Sequence, residues 1–182
     1  MITVSEITKD VPDMVYYSAT SFCPGGSGVE LGLDTSEIGV SYELYHNSTL
    51  VGTRSGDGDS LTFGYYTDST GCYSADATNG SCSVDLDDSL KVRKKSSPIE
   101  YDLTTPSNKM CEGSSVNVEL SDSETRVYYS LVNKNTGNVY TSKYGTGSPI
   151  TFSVSDTGTY YAMGRDTSSN CSRRMNGEVK LD

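Results

Sequence analysis

The sequence predicts an all-β protein made of two tandem antiparallel β-sandwiches, and three observations support this fold class. Short segments of roughly 4–8 residues alternate apolar and polar side chains, which is the period of a half-buried strand. Clusters of Gly, Asn, Asp and Ser separate these segments roughly every 8–12 residues, and no segment has a sustained helical period. The chain also contains two diverged copies of one pattern, each long enough for a sandwich of about seven strands.

The strands are predicted from side chains that alternate between the two faces of a sheet. In the first copy, alternate residues point to one face in two segments, Val29/Leu31/Leu33 and Val40/Tyr42/Leu44. Val116, Val118 and Leu120 do the same in the second copy. Because one face is apolar and the other polar, we expect each strand to have one side in a core and one side in solvent.

The internal repeat is visible in landmarks that recur at a nearly constant spacing. Cys23 and Cys111 are 88 residues apart, and Cys82 and Cys171 are 89 apart. A spacing of 87 residues relates Val40 to Val127, Tyr42 to Tyr129, Leu44 to Leu131, Gly71 to Gly158, Tyr73 to Tyr160 and Ala75 to Ala162. Phe63 and Phe152 are 89 apart, because one turn is two residues longer in the second copy. So many landmarks in register establish the repeat.

The boundary between the copies falls in the segment KVRKKSSP at 91–98, where Pro98 and paired serines are typical of a short linker. Its basic residues are interpreted as a solvated hinge rather than a binding patch. The sequence therefore predicts a first repeat at 1–95 and a second at 96–182. Residues 1–13 are expected to be the tail of a preceding repeat, because residues 2–8 precede the first copy much as its end precedes the second.

Composition excludes several classes of function. The net charge is −10, which repels a phosphate backbone, so we expect neither nucleic-acid binding nor attraction to anionic membranes. No apolar run approaches the length of about 18 residues that a membrane span needs, and the first 20 residues contain no apolar signal-peptide core. We therefore expect no membrane insertion, and we interpret the sequence as an internal fragment of a longer exported protein.

A motif near the end of each copy has a structural mechanism. The second copy reads Asp156-Thr-Gly158-Thr-Tyr160-Tyr-Ala162, which resembles the D-x-G-x-Y-x-C motif of immunoglobulin strand F. In that family the tyrosine hydroxyl bonds to upstream backbone and fixes a corner. The first copy has a looser version, with one extra residue between Asp68 and Gly71 before Tyr73. The resemblance implies two immunoglobulin-like sandwiches with structural tyrosine corners. Ala replaces the buried cysteine in both, so the usual inter-sheet disulfide is not expected.

A longer resemblance concerns the pattern C-x-GGSGV-x-L-GL, GVSY-x-LY, GDGDSLTFG and GCY-x-A-x-ATNG-x-C. It is similar to the tandem immunoglobulin-like repeats of large secreted Bacteroidetes surface adhesins, including SprB-like gliding-motility adhesins exported by the type IX secretion system. The match covers residues 14–93 well and 98–182 more weakly, since the second copy has EGSS for PGGSG. It implies an extracellular, cell-surface location and a non-catalytic stalk or adhesive module. Its implied partners are neighbouring repeats of the same chain, surface glycans or other cell-surface components.

The cysteines are placed symmetrically, one before the second strand and one after strand F of each copy. This symmetry favours a disulfide within each copy, Cys23–Cys82 and Cys111–Cys171, and an oxidising compartment. In plain immunoglobulin order these two turns lie at opposite poles, so a bridge between neighbouring repeats, for example Cys23 to Cys171, stays open as the alternative. Cys72 is the unpaired fifth cysteine and is expected to face outward as a free thiol or an intermolecular link.

One acidic turn is the only candidate cofactor-binding site in the sequence, and the candidate cofactor is calcium. Gly56-Asp57-Gly58-Asp59-Ser60 resembles half of a calcium loop, but it lacks the spacing of a full cage of six to eight oxygens. We favour a polar turn there and keep calcium at Asp57 and Asp59 as the alternative. No other metal or cofactor site is predicted.

Three functions compete for this sequence. A non-catalytic adhesin segment is favoured, and a carbohydrate-binding module that uses exposed tyrosines is the alternative, which needs several coplanar rings on one face. One tyrosine of each adjacent pair, such as Tyr128 and Tyr129, is expected to face solvent. An enzyme is not expected, because His46 is the only histidine and no acid/base or metal set is visible, so no catalytic residue is assigned.

Overall fold

The computed structural model describes residues 16–17, 19–67, 69–80 and 82–182. The chain divides into two compact units, Met1–Lys95 and Ser96–Asp182. Residues 1–13, the expected tail of a preceding repeat, lie outside the described residues. Within those described, no helix is long and apolar enough to cross a membrane.

The described part of the first unit has eight strands, which are β1 (Tyr16–Tyr17), β2 (Ser21–Phe22), β3 (Val29–Leu33), β4 (Ser41–His46), β5 (Thr49–Ser55), β6 (Leu61–Tyr66), β7 (Gly71–Thr78) and β8 (Ser83–Lys94). They form a small sheet of order β1-β3-β6 and a larger sheet of order β2-β8-β7-β4-β5. Neighbouring strands are antiparallel, except that β2 pairs in parallel with β8.

The second unit also has eight strands, which are β9 (Leu103–Thr104), β10 (Val116–Leu120), β11 (Val127–Asn133), β12 (Val139–Tyr144), β13 (Ile150–Val154), β14 (Gly158–Asp166), β15 (Ser172–Arg174) and β16 (Val179–Leu181). The small sheet has the order β13-β10-β9. The larger sheet has the order β12-β11-β14-β15, and β16 continues along the edge of β14 after β15 ends.

The two units have the same architecture. In each unit, a three-stranded sheet packs on a larger sheet around that unit's own core. The larger sheet is centred on β4 and β7 in the first unit and on β11 and β14 in the second. This antiparallel sandwich order is that of immunoglobulin-like domains, with β7 and β14 in the position of strand F. The predicted fold class, all-β with two tandem immunoglobulin-like antiparallel sandwiches, is confirmed.

Each core is filled by the side chains that the alternation predicted to point inward. Val29, Leu31 and Leu33 of β3 are buried, and so are Val118 and Leu120 of β10. Four tyrosines are the largest fully buried side chains, namely Tyr42, Tyr73, Tyr129 and Tyr160. Because a tyrosine brings a polar hydroxyl into an apolar core, each of these residues needs a hydrogen-bond partner.

Tyr42 and Tyr129 occupy equivalent positions in β4 and β11 and meet this need in the same way. The backbone N–H of Glu37 donates to Tyr42 Oη over 2.9 Å, and the backbone N–H of Glu124 donates to Tyr129 Oη over 3.0 Å. In antibody domains the corresponding strand carries a buried Trp. The hydrogen bond lets a tyrosine fill this site without leaving a buried polar group unsatisfied.

A glycine lies against each of these tyrosines because the backbone comes too close for any side chain. A Cβ at Gly56 would lie 2.1 Å from the carbonyl oxygen of Glu37, and one at Gly145 would lie 2.1 Å from that of Glu124. The backbone N–H of Gly56 donates to Val40 and that of Gly145 to Val127, which closes the turn in both units. The tyrosine and the glycine therefore form one repeated packing unit.

A long cation crosses the open edge of the sandwich at equivalent positions. Arg54 of the edge strand β5 donates from Nε to the carbonyl oxygen of Thr62 in β6 over 3.3 Å. Lys143 of the edge strand β12 donates from Nζ to the carbonyl oxygen of Thr151 in β13 over 2.5 Å. In each unit the cation thus satisfies a carbonyl group on the edge strand of the opposite sheet.

We expect Gly56→Ala to lower the free energy of unfolding by about 3 kcal/mol, the upper end of what overpacking costs, because the new Cβ overlaps backbone. Gly52→Ala is the matched control, since Gly52 lies in the preceding strand and its Cβ would meet nothing nearer than 3.4 Å. Urea unfolding measures both variants, and equal losses of stability would contradict this account.

Candidate functional site

The tyrosine corners are formed at the start of β7 and β14. Tyr160 Oη donates to the carbonyl oxygen of Asp156 over 3.0 Å, and Tyr73 Oη donates to the carbonyl oxygen of Ser69 over 3.3 Å. Both acceptors lie four residues upstream of their tyrosine. Comparing the two copies of the motif did not identify Ser69 as the acceptor. The first copy has one extra residue, so Asp68 is displaced from the position that matches Asp156. Asp68 itself lies outside the described residues.

Glycine is required at each corner by its backbone conformation. Gly71 and Gly158 have φ angles of +151° and +148°, which other residues rarely adopt. A Cβ at Gly71 would also lie 2.5 Å from His46 Nε2. His46 stacks on Tyr73 with ring centroids 4.7 Å apart, and its Nε2 lies 3.0 Å from the carbonyl oxygen of Thr70. The one histidine is therefore part of the corner.

Burial raises the pKa of all four core tyrosines above the usual value for a phenol. The effect is largest at Tyr129, where desolvation raises the pKa to about 12 although the N–H of Glu124 favours the ionised form. These hydroxyls are neutral at physiological pH, and they act as hydrogen-bonding groups of the core.

The cysteines differ from the favoured expectation. Cys23 and Cys171 are disulfide-bonded, whereas Cys72, Cys82 and Cys111 are free and exposed. The predicted pairs Cys23–Cys82 and Cys111–Cys171 are therefore wrong in this structure, because Cys82 and Cys111 have no disulfide. Symmetry of position suggested the pairing within a copy, but it carried no information on which turns approach each other.

Asp57 and Asp59 lie in a turn organised by a buried serine. Ser36 Oγ donates to the carbonyl oxygen of Asp59 over 2.8 Å and accepts from the N–H of Asp57 over 3.2 Å, while Asp57 Oδ1 accepts from the N–H of Asp59 over 3.0 Å. The second unit repeats this turn with Ser123, which donates to the carbonyl oxygen of Ser148, although it has no aspartate there. No group of three or more His, Cys, Asp or Glu able to hold a metal occurs among the described residues.

A buried carboxylate organises the turn between β14 and β15. Asp166 accepts from the N–H and hydroxyl of Ser168, the N–H of Ser169 and the hydroxyl of Ser96. The hydroxyl and N–H donors of the following serines lower the pKa of Asp166 to about 2. The role of Asp166 follows from turn geometry that the sequence pattern did not show.

Tyrosines that face solvent are concentrated on the outer face of the larger sheet in the second unit. Tyr128 of β11 is 37% exposed and its cross-strand neighbour Tyr144 of β12 is 64% exposed, while the adjacent Tyr129 is fully buried. The two exposed rings have centroids 4.8 Å apart and are inclined by 59°. In the first unit Tyr65 is exposed, but it lies on the small sheet and donates to Glu30.

This face, named here the tyrosine–arginine face, comprises Tyr128, Tyr144, Tyr161, Met163, Arg165 and Arg174. The register places Arg165 beside Tyr128 and places Met163 between Ser130 and Arg174. Arg174 lies over the ring of Tyr161, with its guanidinium carbon 4.3 Å from the centroid. Arg165 donates to the side-chain oxygen of Asn170, a neutral acceptor, over 3.0 Å.

The matching face of the first unit carries carboxylates instead. The register aligns Glu43 of β4 with Asp76 of β7, and Asp76 with Asp85 of β8, so three acidic residues lie side by side across the sheet. Desolvation, followed by the charges of Asp85 and Glu43, raises the pKa of Asp76. This set is named here the carboxylate row.

One shallow depression of about 600 Å³ lies at the end of the second unit near β16. Its lining is polar and includes Lys134, Thr159, Glu178 and Lys180. Lys134 and Arg174 both bind Glu178, the lysine at 2.8 Å. These ion pairs balance the charge of Glu178 in the lining.

Comparisons with known proteins give similarity in structure only. No family model matches the chain, and no curated protein matches it. Similar solved structures include the human OSCAR ligand-binding domain, at 14% identity and a TM-score of 0.41, which covers 90% of this chain and 94% of that one. Murine CEACAM1b matches at 12% identity and a TM-score of 0.38, over 91% and 96% of the two chains. Fibronectin(III)-like modules of Clostridium thermocellum CbhA match at 12% and 0.37, over 90% of each chain. These similarities carry no argument about ligand or activity.

We expect Tyr129→Phe to lower the free energy of unfolding by about 1–2 kcal/mol at pH 7, because the N–H of Glu124 loses its buried acceptor. In the native protein the folded pKa of about 12 exceeds the unfolded value of about 10, so the proton-linked stability is complete below pH 10 and is lost as the pH rises towards 12. Denaturant unfolding between pH 7 and 12 measures both effects. Tyr128→Phe is the control, and a loss equal to that of Tyr129→Phe would contradict this assignment.

Thiol counting tests the cysteine assignment directly. Because Cys72, Cys82 and Cys111 are free and exposed, alkylation of the native protein should add three labels, and reduction under denaturing conditions should add two more. Intact mass measures the labels, and peptide mapping should assign the two late labels to Cys23 and Cys171. Four labels gained only after reduction would restore the pairing within each copy.

Proposed function

We propose that the chain is a non-catalytic repeat segment, a stalk or adhesive module, of a long cell-surface adhesin that acts in surface attachment or gliding motility. On this proposal the parent protein is a Bacteroidetes adhesin exported by the type IX secretion system. The chain is then extracellular and needs no cofactor, and its first partners are neighbouring repeats.

The observation that carries the proposal is the repetition of one complete sandwich. Each unit has its own core, its own tyrosine corner and the same tyrosine–glycine packing unit, so the two copies are equivalent building blocks. Repeating one domain in tandem lengthens a stalk without requiring a new fold. Immunoglobulin-like sandwiches are also common in cell-surface proteins. The disulfide-bonded state of Cys23 and of Cys171 is compatible with an oxidising compartment.

The proposal that the chain is non-catalytic is supported by the environment of the described side chains. His46 is stacked on Tyr73 and turned towards a backbone carbonyl, so it offers no proton-transfer partner to a nucleophile. The acidic groups of the turns and of the carboxylate row do not form a group of three or more ligands able to hold a metal among the residues described. This arrangement supports a structural or binding role.

A carbohydrate-binding module is the second candidate, and the exposed Tyr128–Tyr144 pair is the observation in its favour. A sugar ring stacks best on aromatic rings that lie in one plane. Here the two rings are inclined by 59°, and Arg174 covers the ring of Tyr161. The geometry therefore favours the adhesin segment, with the tyrosine–arginine face as a surface for protein.

Surface labelling of cells tests the proposal. A fluorescent Fab raised against the purified 182-residue chain should label intact cells of the producing organism as strongly as permeabilised ones, because an adhesin segment is outside the cell. A Fab against a cytosolic protein is the control for membrane integrity. Labelling that requires permeabilisation would overturn the proposal, and specific retention on a glycan array that is abolished by Tyr144→Ala would favour the second candidate.

A further inference from the structure

The tyrosine–arginine face has the composition of a protein interface. Interface centres are enriched in Tyr, Met and Arg and depleted in Asp and Glu, whereas the outer face of an isolated sandwich is usually polar. On this face Tyr128, Tyr144, Met163 and Arg165 adjoin one another across three strands. Tyr128, Tyr144 and Arg165 are exposed, so the surface is open to a partner.

We propose that the tyrosine–arginine face binds the carboxylate row on the first repeat of a second copy of the chain. This inference rests on the proposed function, since it names the partner through which a displayed segment would adhere. A second copy of the chain is the proposed partner because its carboxylate row and the tyrosine–arginine face carry charges of opposite sign.

The two faces carry charges of opposite sign, and at one pair of equivalent positions Asp85 is replaced by Arg174. Where the first repeat has Asp76 paired with Asp85, the second has Met163 paired with Arg174, and where the first has Thr78 the second has Arg165. Residues 1–95 hold six basic and fourteen acidic side chains, a net charge of −8, while residues 96–182 hold eight and ten, a net charge of −2. The first repeat is thus the more acidic surface available to the arginines.

Within the part of the chain that the structure describes, the carboxylate row has no ion pair of its own. Like charges directly opposite each other in a sheet destabilise it. Among the described residues, Glu43 accepts a hydrogen bond from Tyr45 and no ion pair is recorded for Glu43, Asp76 or Asp85. An arginine placed over the row would relieve this repulsion, and its fork geometry suits two carboxylate oxygens at once.

Arg165 is the cation best placed to do so. Its hydrogen-bond partner is the neutral side chain of Asn170, so its charge is not balanced by a carboxylate there. Arg174 already binds Glu178 and covers Tyr161, and its contribution is therefore smaller. The exposed ring of Tyr128 lies beside Arg165 in the register, with the ring of Tyr144 next to it, and these rings would limit the access of water to the charge pair.

The expected contact is small and weak. Four strands about 4.8 Å apart and roughly 20 Å long give a face on the order of 400 Å² per partner, in the range of transient interfaces. A single contact of this size suits dissociation constants on the order of micromolar to millimolar. Because the two faces differ, the contact is heterologous, so several copies can associate in series and gain from multivalency.

Sedimentation of the purified chain, reported as the association constant at about 0.15 M salt, tests the inference. Arg165→Glu should weaken self-association about tenfold or more, because it places a carboxylate opposite the carboxylate row. Lys109→Glu is the matched control, since it makes the same change of charge at an exposed site of the same repeat and should leave association unchanged. Circular dichroism checks that each variant is folded.

A charge swap makes the test specific. Asp85→Arg should also weaken self-association, and mixing the Arg165→Glu chain with the Asp85→Arg chain should restore the association in the mixture. A wild-type chain that stays monomeric at millimolar concentration would overturn the inference. So would an Arg165→Glu variant that behaves like the Lys109→Glu control, or a mixture that fails to associate while both variants are folded.

The two proposals fail separately. A chain found on intact cells that does not self-associate retains the proposed function and loses this inference. A chain that self-associates in solution but is labelled only in permeabilised cells retains this contact and loses the proposed location.

Discussion

The hydrogen bond between a buried tyrosine hydroxyl and nearby backbone is the interaction on which both repeats depend. Tyr73 and Tyr160 each bind a carbonyl group four residues upstream, and Tyr42 and Tyr129 each accept from an N–H five residues upstream. These bonds fix the turns that lead into the two central strands of each larger sheet. With Cys82 and Cys111 free, neither repeat has a disulfide of its own, so these non-covalent links hold its corners.

The fold was predictable from the sequence because its determinants are local. Alternation along Val29, Leu31 and Leu33 identifies one buried face without any knowledge of the neighbouring strands, and the Asp156–Tyr160 motif identifies a corner within five residues. The spacing of 87 residues then transferred each assignment from one copy to the other. Tyr42 was identified as an inward residue, but the hydrogen bond that it accepts from the N–H of Glu37 required the geometry of the turn.

The candidate site was less predictable because it depends on register between strands. Glu43, Asp76 and Asp85 are separated by 33 and 9 residues in sequence, and only the pairing of three strands aligns them. The state of each cysteine was open for a similar reason, since the spacing of cysteines does not encode which of them are disulfide-bonded and which are free. Duplication has kept the inward residues and changed the outward ones, so one scaffold presents an acidic face in one copy and an aromatic, cationic face in the other.

The cations that cross the sandwich edge also affect the tendency of the chain to aggregate while it folds. Neighbouring sandwiches in one polypeptide are at high local concentration, and unpaired edge strands invite misfolded, exchanged or fibrillar assemblies. Arg54 and Lys143 each bind a carbonyl group on the edge strand of the opposite sheet and place a charge where an incoming strand would dock. Their retention at equivalent positions would therefore protect an array of similar sandwiches from aggregation while each one folds.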